Sequence, residues 1–137
     1  MKDGLRHGYW IINGDISGNK DYIPVAKVEE GLFLNGRKSG EWIKYYPKGT
    51  IKSKITYING RAQGDFITYY KNGQIEEKGT WKSKVYNGDF VRYYENGKIA
   101  QKKKFNEKGK TEGKYQMFVG PSPLQNMLRR TQIRVLE

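Results

Sequence analysis

The sequence predicts an all-β protein, an antiparallel meander of β-hairpins stacked in one solenoid-like layer. The stretches GEWIKYYPKGTI (40–51), GDFITYYKNGQI (64–75) and GDFVRYYENGKI (88–99) begin 24 residues apart. Each contains a leading glycine, an aromatic residue, two adjacent tyrosines and a turn signal, and such a fixed period is typical of repeat architectures. Apolar residues, counted with glycine and without tyrosine, number only 55 of 137. This low content favours a thin sheet that relies on aromatic side chains over a thick two-layer core.

The repeats can be placed along the chain by their leading glycines. We predict copies that open near Gly8, Gly40, Gly64, Gly88 and Gly113, the last one weaker. Residues 13–31 form an insertion after the first copy, which we interpret as a long loop followed by a strand near 28–34. The repeat domain is therefore expected to span residues 1–120, and residues 121–137 form a separate tail.

The central hairpin illustrates the expected pairing. Asn72-Gly73 is a strong hairpin signal, because a type I′ turn needs positive φ at both central residues. The cross-strand pairs that follow are Lys71–Gln74, Tyr70–Ile75, Thr68–Glu77 and Phe66–Gly79. The Phe66 ring would then cover the backbone of a residue without a side chain. Asn59-Gly60 is a second turn signal, and the leading glycines are expected where the chain bends or needs positive φ.

Alternation along the strands sorts the side chains onto two faces, and sends adjacent tyrosines to opposite faces. The first face is expected to carry ladders of equivalent residues, namely Trp42, Phe66 and Phe90, then Tyr46, Tyr70 and Tyr94, then Ile51, Ile75 and Ile99. The second face is expected to carry Tyr45, Tyr69 and Tyr93 beside Ile43, Ile67 and Val91. This second face is the more polar and more hydrated of the two.

The tail changes character after Phe118. Ser122, Pro123 and Gln125 resemble a helix start with a capping box, so we predict a helix near 123–135. It could cap the open last strand, remain disordered, or dock on a partner or membrane surface. The last alternative depends on Arg129, Arg130 and Arg134.

Residues for catalysis are scarce. The chain has no cysteine and one histidine; we interpret this residue, His7, as a solvated turn residue. Glu77 could form a structural ion pair with Lys44 or Arg92. No metal-ligand spacing or catalytic constellation is present, so we expect neither an enzyme nor a cofactor.

Two sets of residues could bind a partner. The first set is the tyrosine ladder of Tyr45, Tyr69 and Tyr93, since exposed tyrosines suit protein interfaces. The second set is the interleaved lysines Lys52, Lys54, Lys78, Lys102 and Lys104. Alternatively, the tyrosines only cover the second face and the lysines only solubilise it or protect strand edges. Lys103 should lie on the opposite face from Lys102 and Lys104, which divides the charge of that run.

The net charge of +12 permits a rival function, adhesion to an anionic phospholipid surface or to nucleic acid. Self-association through the terminal strands is a third alternative. With no signal peptide and no apolar membrane span in the sequence, we expect a cytoplasmic protein, or a periplasmic or secreted one if the N-terminus is incomplete.

The order Gly-x-aromatic, Tyr-Tyr, Asn-Gly-x-Ile, as in GDFITYYKNGQI and GDFVRYYENGKI, resembles the MORN repeat variant found in the YwqK-type antitoxin family of bacteria. The resemblance covers roughly residues 3–118, and Pro47-Lys48-Gly49 departs from it by replacing Asn-Gly in one copy. It implies a hairpin meander and a non-enzymatic module that binds another protein, with an antitoxin or immunity-like partner as the narrower form of that role. MORN proteins in general are linked to membrane lipids or to protein scaffolding.

Overall fold

The computed structural model describes residues 1–111 in full, and the backbone of the two strands at 115–118 and 133–136. The elements are β1 (Gly8–Asn13), α1 (Gly14–Ser17), β2 (Lys27–Leu34), β3 (Arg37–Tyr45), β4 (Ile51–Ile58), β5 (Arg61–Tyr69), β6 (Ile75–Lys82), β7 (Val85–Tyr86), β8 (Gly88–Tyr93), β9 (Ile99–Phe105), β10 (Tyr115–Phe118) and β11 (Ile133–Leu136). They form one sheet in which strands follow chain order from β1 to β11, except that the short β7 pairs only with β6. The predicted antiparallel meander is confirmed.

The insertion folds as a loop and a strand. Strand β2 confirms the strand predicted near 28–34. The single-turn helix α1 was not predicted; its N-cap is Asn13, whose side chain accepts a hydrogen bond from the Ile16 amide. Within the described residues, no helix is long and apolar enough to cross a membrane.

Two kinds of turn alternate along the meander. Two-residue turns join β2 to β3 at Asn35-Gly36 and β4 to β5 at Asn59-Gly60, and all four residues have positive φ. Ser83-Lys84, which joins β6 to β7, has φ values of 51° and 72° and adopts the same turn without a glycine. These positive φ values identify type I′ turns, which match the twist of the flanking strands.

The other turns are longer than the sequence suggested. At the Asn72-Gly73 turn only Gly73 has positive φ, and the Tyr70 amide donates to the Gln74 carbonyl around a three-residue loop. The type I′ turn predicted there is therefore wrong, as are the pairs Lys71–Gln74 and Tyr70–Ile75; Tyr69 lies opposite Ile75 instead. A β-bulge after Thr68 cancels the offset, so the predicted pairs Thr68–Glu77 and Phe66–Gly79 are confirmed.

The aromatic core lies on the first face. Trp42, Phe66 and Phe90 are 1%, 5% and 3% exposed. Space for these rings comes from glycines on neighbouring strands: a Cβ at Gly31 would lie 2.4 Å from the Trp42 ring, and one at Gly79 would lie 3.1 Å from Phe66. The leading glycines differ, because a Cβ added there would meet no ring: at Gly8, Gly40 and Gly88 nothing lies within 4 Å, and at Gly64 the nearest group is Thr56. In the ladder, these glycines pair directly with large aromatic residues. These pairs are Gly8–Phe33, Gly40–Tyr57, Gly64–Trp81 and Gly88–Phe105, and each of the four glycines has positive φ as predicted.

The C-terminal tail differs from its prediction. Strand β11 pairs antiparallel with β10, so a helix is wrong for residues 133–135 of the predicted range 123–135. The rest of that range, and the leading residue Gly113 of the last copy, lie outside the described residues. Local helical spacing was a weak guide here because pairing with a neighbouring strand supplies the same backbone hydrogen bonds.

Candidate functional site

The second face carries a regular row of alternating apolar and cationic residues. From β3 to β9 each member lies directly opposite the next, in the order Ile43, Lys54, Ile67, Lys78, Val91 and Lys102. Successive lysines are two strands apart, which is roughly 10 Å at the usual strand spacing. The 24-residue period thus creates a row of equally spaced charges with branched apolar side chains between them.

The remaining predicted lysines lie outside this row. Lys104 lies opposite Asp89, two residues along β9 from Lys102 and on the same face. Lys52 lies beside the bulge at the end of β4, with its Nζ 5.8 Å from the centre of the Tyr46 ring. Lys103 extends over Phe90 and Phe105 on the first face, which confirms that the charge of the 102–104 run is divided between the faces.

Carboxylates accompany the lysines. Glu41, Asp65 and Asp89 each precede the apolar member of the row by two residues on β3, β5 and β8, so they share its face. The Asp65 carboxylate accepts a hydrogen bond of 3.0 Å from the Thr80 hydroxyl. The second face therefore presents both signs of charge, because each carboxylate lies diagonally across the ladder from a lysine of the neighbouring strand, about 7–8 Å away.

A shallow groove crosses this face between β5, β6 and β8. Its volume is about 270 Å³, and Ile67, Lys78 and Val91 line it together with Asp65 and Asp89. Apolar side chains and charged groups of both signs line it together, which is the composition of a protein-contact surface more than that of a catalytic cleft.

The three candidate tyrosines are not equivalent. All are half-buried, but the Tyr45 hydroxyl donates a hydrogen bond of 2.7 Å to the Glu30 carboxylate. Burial, together with this carboxylate, raises the pKa of Tyr45 to about 12. Among the described residues the hydroxyls of Tyr69 and Tyr93 have no hydrogen-bond partner. Lys78 places its Nζ 5.8 Å from the Tyr93 ring. Tyr69 and Tyr93 are therefore the tyrosines available to a partner.

Glu30 is a functional group that sequence reasoning missed. It is only 9% exposed, and its carboxylate accepts hydrogen bonds from Tyr9 at 2.5 Å and Tyr45. Lys27 adds an ion pair at 3.0 Å. The Tyr9 hydrogen bond is the main cause that lowers the pKa of Glu30, against the opposing effect of burial. The feature that could have identified Glu30 is its position in the sheet: it lies opposite Ile43, the first residue of the row of alternating apolar and cationic residues.

The second tyrosine of each pair has a structural role. The hydroxyls of Tyr46 and Tyr70 donate hydrogen bonds of 2.7 Å to the backbone carbonyls of Tyr69 and Tyr93, one repeat further on. Tyr22, in the insertion, makes the same bond to the Tyr45 carbonyl. The candidate tyrosines are thus held at their backbones by the preceding repeat.

Polar groups elsewhere have structural partners. Arg92 forms an ion pair of 3.2 Å with Glu77, which confirms the Arg92 alternative, whereas Lys44 lies opposite Ser53. The His7 Nδ1 accepts from the Asn35 amide at 3.4 Å. In the described part of the chain, no group of three or more His, Asp or Glu residues could hold a metal ion.

Comparison with known families agrees with this geometry. Residues 38–59, 62–83 and 86–107 match the MORN repeat variant. A comparison with curated proteins finds no match to the chain. The first two matched segments contain the hairpins β3–β4 and β5–β6 apart from the first residue of each hairpin, and the third contains β8–β9 with its turn. Three segments in tandem between residue 38 and residue 107 are thus similar to the MORN repeat variant.

Proposed function

We propose that the chain is a non-enzymatic binding module that docks another protein on its second face, through Tyr69, Tyr93 and the row from Ile43 to Lys102. MORN repeats generally act as binding modules. The observation that carries the proposal is the composition of this row: branched apolar residues alternate with lysines at a fixed spacing, beside two tyrosine hydroxyls that have no hydrogen-bond partner among the described residues. An interface needs such apolar contact area with a few charges to set the register.

The mixed charge of the face favours a protein partner over an anionic surface. A phosphate backbone or a lipid headgroup layer that approached the lysines would also approach Asp65 and Asp89 in the same groove. Like-charge contacts of this kind weaken binding to a polyanion. A folded protein can instead place a carboxylate opposite each lysine and a cation or hydroxyl opposite each aspartate.

A narrower form of the proposal is an antitoxin or immunity-like role, in which the docked protein is a toxin that the chain neutralises. The resemblance of the repeats to the YwqK-type antitoxin family supports this form. Its test is direct once the partner is known: the partner expressed alone should arrest growth, and co-expression of this chain should restore it.

Site-specific crosslinking tests the docking face. A photo-reactive phenylalanine analogue replaces Tyr69 or Tyr93 in separate baits, and in matched controls it replaces the exposed turn residues Lys71 or Glu95. Each bait is illuminated in lysate of the source cell at about 150 mM and again at about 500 mM salt, where electrostatic screening is much stronger.

One protein crosslinked from both face positions, at both salt concentrations, and absent from both turn controls is the expected result. Crosslinks to nucleic acid or lipid alone that disappear at high salt would overturn the proposal and favour the anionic-surface function. Equal crosslinking from face and turn positions would show that the second face has no special role.

A further inference from the structure

A separate cavity lies at the sheet edge that carries the two-residue turns. It has a volume of about 590 Å³ and lies against the turns Asn35-Gly36 and Asn59-Gly60. It is an open depression of the surface, and the arginines that line it are exposed to solvent. Four of its lining residues are cationic, namely Arg6, Arg37, Lys38 and Arg61, and no lining residue is acidic. We refer to it as the turn-edge cavity.

The arginines of this cavity have no acidic partner among the residues that the structure describes. Lys38 is neutralised by Glu29, with its Nζ 2.6 Å from the carboxylate. In the described part of the chain, no carboxylate oxygen lies within 4.0 Å of the guanidinium of Arg6, Arg37 or Arg61. Three uncompensated positive charges that line one cavity repel each other, and a bound anion would relieve that repulsion.

The packing around the cavity orients two of these side chains, those of Arg6 and Arg37. The Arg6 guanidinium lies 4.9 Å from the centre of the Trp10 ring and 5.5 Å from that of Phe33. The Arg37 stem packs against the turn at Gly60, whose added Cβ would lie 3.5 Å from the Arg37 Cβ. Stacking and packing reduce the entropy that an arginine loses when it binds.

Backbone donors are already engaged. The Gly36 amide donates to the Arg6 carbonyl at 2.8 Å, and the Gly60 amide donates to the Lys38 carbonyl at 2.9 Å. An anion in the cavity would therefore be held by guanidinium groups, whose planar fork suits the oxygens of phosphate and carboxylate.

We propose that the turn-edge cavity binds a small soluble ligand that carries two or more phosphate charges, of the pyrophosphate class. One carboxylate has two oxygens and a single charge, so it would leave at least one of the three guanidinium groups without an ionic partner. A diphosphate has enough charge and enough oxygens to bind Arg6, Arg37 and Arg61 together, and the cavity is large enough for an attached organic group. This site uses none of the residues proposed for protein docking, so either proposal can fail without the other.

Calorimetric titration with sodium pyrophosphate at about 50 mM and 150 mM salt tests the site on the whole chain. Arg37→Gln/Arg61→Gln removes two of the three guanidinium groups. Lys98→Gln/Lys108→Gln is the matched control, because it removes the same charge from two exposed turn residues outside the cavity. Arg37→Lys/Arg61→Lys keeps the charge and removes the fork. A thermal melt of each variant verifies its fold. The titration is repeated with the single variant Arg61→Gln, which changes the chain less than the double variant does.

The expected result is saturable binding of one pyrophosphate, weakened by at least about tenfold in the arginine-to-glutamine variant and by less than about twofold in the lysine control. The Arg→Lys variant should bind more weakly than the unmodified chain. Absence of saturable heat, or equal weakening in the lysine control, would overturn the proposal. Vesicles with phosphomonoester headgroups form a second arm. If they bind through the same arginines and pyrophosphate does not displace them, the soluble-ligand assignment is wrong.

Discussion

The Tyr46 hydroxyl donates a hydrogen bond of 2.7 Å to the backbone carbonyl of Tyr69, 23 residues further along the chain. The same bond joins Tyr70 to Tyr93. A tyrosine side chain thus ties each hairpin to the next beyond the strand ladder, at the end of the sheet where the three-residue loops lie.

Removal of one of these hydroxyls should lower the free energy of unfolding. We expect Tyr70→Phe to cost about 1 kcal/mol, because the Tyr93 carbonyl loses its side-chain donor while the ring volume is kept. The control is Tyr69→Phe, whose hydroxyl has no partner among the described residues, and its effect should be close to zero. Urea denaturation of both variants measures the difference. Equal losses in the two variants would contradict the role of the hydroxyl bond.

Gly31 should tolerate a methyl group less well than Gly79. A Cβ at Gly31 would lie 2.4 Å from the fully buried Trp42 ring, whereas at Gly79 the nearest ring atom is at 3.1 Å. We expect Gly31→Ala to lower the free energy of unfolding by roughly 1–3 kcal/mol, as overpacking does. Gly79→Ala should cost less. Urea midpoints of the two variants give the comparison, and a milder effect at Gly31 would mean that the sheet relaxes around Trp42.

The turn at Ser83-Lys84 should be improved by glycine. Both residues have positive φ, a conformation that costs a residue with a side chain roughly 1–2 kcal/mol. Lys84→Gly should therefore raise the free energy of unfolding by about 0.5–1 kcal/mol after the entropy that glycine loses on folding is included. Lys48→Gly is the matched control: Lys48 is also a turn residue, but its φ is not positive. This control should destabilise the protein. If both changes stabilised it, the gain at Lys84 could not be attributed to relief of its positive φ.

Glu30 should make stability depend on pH on the acid side. Its folded-state pKa lies below its ordinary value of 4.5, so its stabilising contribution is fully present above that value. The contribution is lost as the pH falls through the lowered pKa, because the unfolded chain binds the proton more readily. Thermal melts between pH 7 and pH 3 should show a smaller loss of stability for Glu30→Gln than for the unmodified chain. Parallel curves would contradict this coupling.

Tyr45 should titrate abnormally on the alkaline side. Its folded-state pKa is about 12, above the usual 10.0, so its contribution to stability is present below pH 10 and lost as the pH rises towards 12. The ultraviolet absorbance of tyrosinate measures this directly. The difference between the titrations of the unmodified chain and Tyr45→Phe should have its midpoint near pH 12. A midpoint near 10 would show that neither burial nor the bond to Glu30 acts on this hydroxyl.

The period of the sequence was sufficient to predict the fold class and the register away from the turns. Thr68–Glu77 and Phe66–Gly79 were correctly paired, because the bulge after Thr68 compensates for the extra loop residue. The loop itself could not be predicted, since Asn-Gly suits both a type I′ turn and a type I turn followed by a left-handed glycine. The error shifted the cross-strand partners by one residue: Ile75 lies opposite Tyr69 instead of Tyr70, and the Tyr70 amide bonds to the Gln74 carbonyl.

The candidate site was predicted only in part. Periodicity located Tyr69, Tyr93 and the lysine row, but it treated Tyr45 as their equivalent. The difference comes from Glu30, which lies in a strand outside the regular repeats, and from Tyr9 beside it. Nonlocal contacts of this kind have no sequence period, so only the sheet register reveals them.

The 24-residue repeat makes the size of the sheet a discrete quantity. Each copy adds two strands, or roughly 10 Å of width, together with one lysine of the row. Excision of residues 64–87 would join Gln63 to Gly88, bring Tyr93 to the position of Tyr69, and keep every equivalent residue in phase. The number of copies therefore sets the length of the second face in steps of one repeat. Gain or loss of a repeat changes how long a partner this face can span, while the packing of the sheet's aromatic core stays the same.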